Sequence, residues 1–92
     1  MAQVYPIKIT VLSQQGHCAN GHEVGDQWIL KDDKTPAGIC GTAYNCLFPF
    51  IQVLQFGGIY PWREKQGTPD VDWVACPDSK NPVVFEIRRL RE

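Results

Sequence analysis

Hydrophobic residues follow two different periods along this chain, and the switch between them outlines a fold. From Val4 to Leu12, Ile7, Ile9 and Val11 alternate with Lys8 and Thr10. That period of two predicts a strand with one buried face. The polar run from Gln14 to Gly25 predicts a loop, and it carries both histidines, His17 and His22. A short strand is expected over Gln27 to Lys31, with Trp28 and Leu30 on one face and Ile29 on the other. Asp32-Asp33-Lys34-Thr35-Pro36 reads as a turn by composition.

The period then lengthens. Ile39, Ala43, Leu47, Phe50 and Leu54 recur at spacings of three and four, which predicts a helix from about Pro36 to Phe56. Thr35 is a candidate N-cap with Pro36 at the first helical position. An alternative start uses Thr42 as the cap and leaves Cys40 in the loop before it. Pro49 has no amide to donate and crowds the preceding turn, so a kink or two short helices are expected there. Gly57-Gly58 supplies a left-handed stop.

Ile59 to Pro69 reads as an irregular loop holding Tyr60, Pro61 and Trp62. Two strands are expected after it, Val71 to Cys76 and Val83 to Leu90, joined as a hairpin by a wide turn. The order is β-β-α-β-β. It predicts one α+β domain over residues 1–92, a small antiparallel or mixed sheet under one helical layer kinked at Pro49. Trp28 and Trp73 are expected between sheet and helix, with Trp62 covering the edge of a thin core.

Charge narrows the partners. The 92 residues carry a formal net charge of −1, so no field draws nucleic acid or an anionic membrane. Neither is expected as a partner; another protein or a second copy of the chain is. Arg88, Arg89 and Arg91 lie between Glu86 and Glu92, which reads as a solvated strand end. The run Met1 to Pro6 has no basic leader followed by an apolar stretch, and Cys46 to Leu54 is too short to span a bilayer. A soluble, cytoplasmic protein is the expectation. In that compartment four cysteines read as thiols or ligands and not as a disulfide framework.

Cys18 and His22 form a C-x-x-x-H pair in a glycine-containing loop able to wrap a metal. Cys40 lies near the helix start, where the macrodipole and unpaired amides stabilise a thiolate. Cys76 ends a strand and precedes Pro77, and a Cys-Pro step also closes cluster motifs in bacterial-type ferredoxins. Together Cys18, His22, Cys40 and Cys76 make a candidate Cys3His set for zinc or an iron–sulfur cluster. The competing reading makes Cys40, Cys46 and Cys76 small buried hydrophobes, with the core assignment leading for Cys46. His17 is read as an exposed loop residue that could replace His22 as ligand. A nucleophilic Cys18 with His22 as base, oriented by Glu23 or Asp26, is a third arrangement. No phosphate-cradling or Ser/His/Asp motif is present.

The runs from Cys18 to Asp26, Gly38-Ile39-Cys40, Leu47-Phe48-Pro49-Phe50-Ile51 and Phe56-Gly57-Gly58 with Pro61-Trp62 carry a resemblance across nearly the whole chain. So do Ala75-Cys76-Pro77-Asp78 and the run from Asn81 to Glu86. Together they resemble a family of small uncharacterised prokaryotic proteins. The resemblance implies an association with anaerobic bacteria and archaea, and no particular activity. It also implies that Cys18, His22, Cys40 and Cys76 belong to the shared pattern and that Cys46 does not. Three functions are therefore carried forward. The first is a metal- or iron–sulfur-binding accessory or electron-transfer subunit. The second is a metal-free interaction module using the Tyr60–Trp62 loop. The third is a small cysteine-dependent enzyme.

Overall fold

The computed structural model describes residues 4–18, 21–31 and 36–91. Two N-terminal strands, β1 (Ile7–Gln14) and β2 (Gln27–Leu30), precede a long helix, α1 (Gly41–Gln55), and a short one, α2 (Pro61–Lys65). Strands β3 (Val71–Ala75) and β4 (Val83–Arg89) complete an antiparallel sheet of order β2-β1-β4-β3. The α+β architecture and the β3–β4 hairpin match the expectation; β1 and β2 also pair directly, and the sheet is wholly antiparallel.

Alternation along the central strands decides which face is dry. Ile7, Ile9 and Val11 of β1 stand beside Arg89, Ile87 and Phe85 of β4 in the register, and all six are buried. A register shift between Val11 and Ser13 bulges β1 just before it leaves the sheet. Ala43, Leu47, Ile51 and Leu54 of α1 close the core from above. The other sheet face stays wet, with Ile29 and Trp73 more than half exposed. Trp73 therefore does not lie between sheet and helix; the Arg63 guanidinium covers its ring at 5.1 Å.

Helix α1 begins later than periodicity predicts. Its N-cap is Cys40 and not Thr42, with no side-chain cap bond. The other candidate cap, Thr35, lies outside the described residues. The helix continues through Pro49 as one 15-residue element and not as two. Pro49 is on an exposed turn, so the amide it lacks costs no buried partner. The C-terminus is fully specified. Gly57 adopts φ +88°, Gly57 N–H donates to Leu54 O at 3.2 Å and Gly58 N–H donates to Val53 O at 2.7 Å. That is the paired reverse bonding of a Schellman motif. A Cβ on Gly58 would stand 2.7 Å from Val53 Cγ1, so the second glycine is required by close approach.

Two residues at this end overturn simpler readings. Residues 59–69 are not wholly irregular, because Pro61 opens α2 and its fixed φ suits a first helical position. Arg89 is not a solvated strand end: only 2% of it is exposed. Its guanidinium donates to the carbonyls of Leu54, Gly58 and Pro69 and pairs with Asp70 at 2.9 Å. An arginine at the end of a core strand thus satisfies carbonyls from the last turn of α1 and from the segments that follow it.

Gln55 is buried, and its Oε1 accepts no hydrogen bond among the described residues. Gln55→Met retains the volume and removes an unsatisfied amide. It is expected to raise stability by about 1 kcal/mol, read as a higher denaturant midpoint at unchanged slope.

Candidate metal centre

Three segments that are distant in sequence meet at the N-terminal end of α1. Cys18 follows β1 and its bulge, Cys40 caps α1, and Cys76 follows β3. All three line one open cleft of about 330 Å³, together with Thr42, Ala43, Pro77, Asp78 and Asn81. Each of these cysteines is half-buried, and none of the four in the chain forms a disulfide. Cys46 lies outside the cleft, on α1.

The Cys18 and Cys76 loops are tied together by backbone. Gln15 N–H donates to Pro82 O at 3.0 Å, and His17 N–H donates to Asn81 Oδ1 at 2.9 Å. Gly16 passes so close beneath Asn81 that any Cβ there would collide with its side-chain oxygen, and its φ of +67° also favours glycine. The Asp78 carboxylate organises the other loop by accepting from the amides of Lys80 and Asn81, both at 3.0 Å. Those amides hold its carboxyl below the usual carboxylate range. Exposed His17 contributes its amide to this seam.

Cys76 sits in a sulfur-binding turn. Its N–H donates to Val83 O at 2.9 Å, and Val83 N–H donates back to Cys76 Sγ at 3.3 Å. The same pairing of a backbone amide with sulfur occurs at cluster-bound cysteines.

His22 occupies a different place from the three thiols. It is 4% exposed, with its ring edge-on to Trp28 at 5.2 Å and to Phe85 at 6.0 Å. Its Nε2 accepts the Cys40 N–H at 3.0 Å, which assigns the proton of the neutral ring to Nδ1. It does not line the cleft. With its amide oxygen turned toward Cys18, the Gln14 side chain accepts from Cys18 N–H at 3.0 Å and donates to His22 O at 2.7 Å. His22 and Gln14 therefore brace the backbones of Cys40 and Cys18 from behind.

The sulfurs surround a space and do not converge on a point. Among the described residues no three His, Cys, Asp or Glu side chains stand close enough to hold a single metal ion. A tetrahedral zinc would need its sulfurs ~3.8 Å apart, given Zn–S bonds of ~2.3 Å. Helix geometry adds a fixed positive end, since the amides of Gly41, Thr42 and Ala43 have no acceptor inside α1. Spacing and local context pointed to the cysteines, and Thr42 was readable only as an alternative helix cap. The parts played by Asn81 and Gln14 had no local signal.

No family model, curated protein or solved structure matches the chain. Among the described residues no helix is long and apolar enough to cross a membrane.

A second depression of about 240 Å³ lies on the wet side of the sheet between Arg63, Thr68, Trp73, Glu86 and Arg88. Its cations are paired within the protein, Arg63 with Asp72 and Arg88 with Glu86. It offers no free charge to a ligand.

Proposed function

We propose that this protein carries an iron–sulfur cluster on Cys18, Cys40 and Cys76 and acts as a small electron-transfer or accessory subunit. The single observation that supports the reading is the meeting of those three thiols in one cleft. A polynuclear cluster spreads its cysteine ligands wider than one tetrahedral ion does, which suits sulfurs arranged around a cavity. Val83 N–H on the Cys76 sulfur and the N-terminus of α1 would both stabilise the negative charge of such a centre. When bound, the cluster would supply one-electron chemistry. The chain would supply the ligands, the amides that set the potential, and His22 as a positioning residue behind Cys40.

The test is iron and sulfide content after purification without oxygen, or after reconstitution with iron and sulfide. The wild-type chain is expected to retain both, with visible charge-transfer absorbance. Cys18→Ser, Cys40→Ser and Cys76→Ser are each expected to lose most of the iron, while Cys46→Ser keeps it. A colourless, iron-free protein that stays folded in chelator would reject this reading.

One observation favours a second reading, an interaction module. Tyr60 and Trp62 stack at 4.7 Å, and Val53, Phe56, Ile59 and Trp62 are exposed around the C-terminal end of α1. Exposed aromatics of this kind anchor partner proteins. Trp62→Ala would abolish partner capture under that reading and leave iron content unchanged.

A further inference from the structure

Thiols that share a cleft can also react with one another, and that chemistry needs no metal. Cys18, Cys40 and Cys76 are half-buried, border the same open space and carry no disulfide. The sheet and the helix decide which two of them can meet.

Cys76 continues the β3 register. Its N–H donates to Val83 O, one step beyond the Ala75–Val84 pair, and like Val74 it packs against the core beneath α1. Gln14 of β1 is the partner of Val83 on its other side. Gln14, Val83 and Cys76 thus form one row across three strands, and at ~4.8 Å per strand Gln14 and Cys76 stand roughly 10 Å apart. The Cys18 backbone is fastened to the far end of that row, because its N–H donates to the Gln14 side chain. Helix α1, in contrast, packs chiefly over β3 and β4. Cys40 O accepts Tyr44 N–H at 2.9 Å, so the first helical turn includes Cys40. Ala43, three residues on and therefore on the same side, is buried and shares the cleft with Cys76.

We infer that Cys40 and Cys76 form a reversible disulfide that staples the start of α1 to the end of β3. The thiolate of one cysteine attacks a low-molecular-weight disulfide, forming a mixed disulfide and releasing one small thiolate. The thiolate of the second cysteine then attacks the protein sulfur of that mixed disulfide and expels the other small thiolate. Two cysteine thiols are oxidised to one S–S bond, the small disulfide is reduced to two thiols, and the two protons end on them. An S–S bond of ~2.05 Å draws the two walls together, so the oxidised cleft is narrower and Cys18 alone keeps its thiol there.

The bond closes the segment from Cys40 to Cys76, which contains both helices. Restricting the unfolded chain in this way lowers the unfolding constant on the order of a hundredfold. By the thermodynamic cycle, the same factor separates the equilibrium constants for forming that bond in the native and the denatured chain.

The test equilibrates the full chain, reduced and held in chelator, with mixtures of glutathione and glutathione disulfide, with and without guanidinium. Samples are acid-quenched, alkylated and mapped by mass spectrometry. The native chain is expected to lose two thiols and yield one cross-linked peptide pair holding Cys40 and Cys76, with an equilibrium constant about a hundredfold above that of the denatured chain. Cys40→Ser and Cys76→Ser should each abolish the bond, whereas Cys18→Ser and Cys46→Ser should keep it. Cys76→Ser retains an acceptor for Val83 N–H, and circular dichroism of each variant shows that loss of the bond is not loss of the fold. A cross-link to Cys18, a disulfide that survives either of the first two substitutions, or an equilibrium constant no higher in the native than in the denatured chain overturns the inference.

Discussion

Arg89→Met is expected to destabilise the fold by ~3–5 kcal/mol, the range for breaking a buried ion pair by removing one partner. The side chain is fully buried, and five hydrogen-bonding or charged contacts are lost at once. These are the carbonyls of Leu54, Gly58 and Pro69, and the Nε and Nη2 contacts to Asp70. Methionine keeps much of the apolar stem, so the loss reports the guanidinium and not an empty cavity. Denaturant titration should show a large drop in midpoint, with α1 the first element to lose amide protection. A change under 1 kcal/mol would mean that water replaces the arginine at the carbonyls.

Asp70 gives the same cluster a pH signature. Hydrogen bonding from Arg91, and then from Arg89, holds its carboxyl below the ordinary range, although partial burial opposes this. A depressed native value means that the unfolded chain binds the proton first. The stabilisation is thus complete above the ordinary carboxylate range and is lost as pH falls through the native value. Asp70→Asn should be less stable at neutral pH and show a flatter acid limb in the same titration.

His22→Ala is the second large effect, and it links folding to the candidate site. The orphaned Cys40 amide costs ~1–3 kcal/mol. The ring also packs against Trp28 and Phe85, so a cavity opens beside the core. Cys40 should then be alkylated faster than in the wild type, while Cys46 is unchanged, as read by mass spectrometry of native protein. An unchanged Cys40 rate would show that the His22 bond does not hold the helix start. Iron retention in the same variant separates roles: a ligand would take the cluster with it, whereas a positioning residue would leave iron bound at a shifted potential.

Much of the fold was legible because short-range physics determines it. Ile7, Ile9 and Val11 declared a half-buried strand, the spacing from Ala43 to Leu54 declared a helix, and Gly57-Gly58 declared its end. The exceptions are tertiary. Arg89 looks like surface in sequence because nothing local says that a helix C-terminus will dock on it. Trp73 looks like core because its hydrophobicity says nothing about which sheet face receives the helix. Pro49 was read as a breaker, yet its orphaned acceptor lies on the exposed side.

The site divides the same way. Cysteine chemistry identified the candidate thiols, and the resemblance set Cys46 apart from them. Their common cleft depends on Gly16 slipping under Asn81 and on the β1 bulge, neither of which has a readable spacing. His22 shows the limit most plainly. A C-x-x-x-H pair gives two donors near each other along the chain, but the nitrogen that faces inward went to the Cys40 amide.

The three thiols also belong to both layers: two leave the sheet, and the third starts the helix that covers it. Any centre ligated by all of them would work as a cross-link between those layers, shrinking the unfolded ensemble much as a disulfide does. Assembly and disassembly of the centre would then register as a change in the mechanical rigidity of the whole domain, felt as far away as the aromatic end of α1.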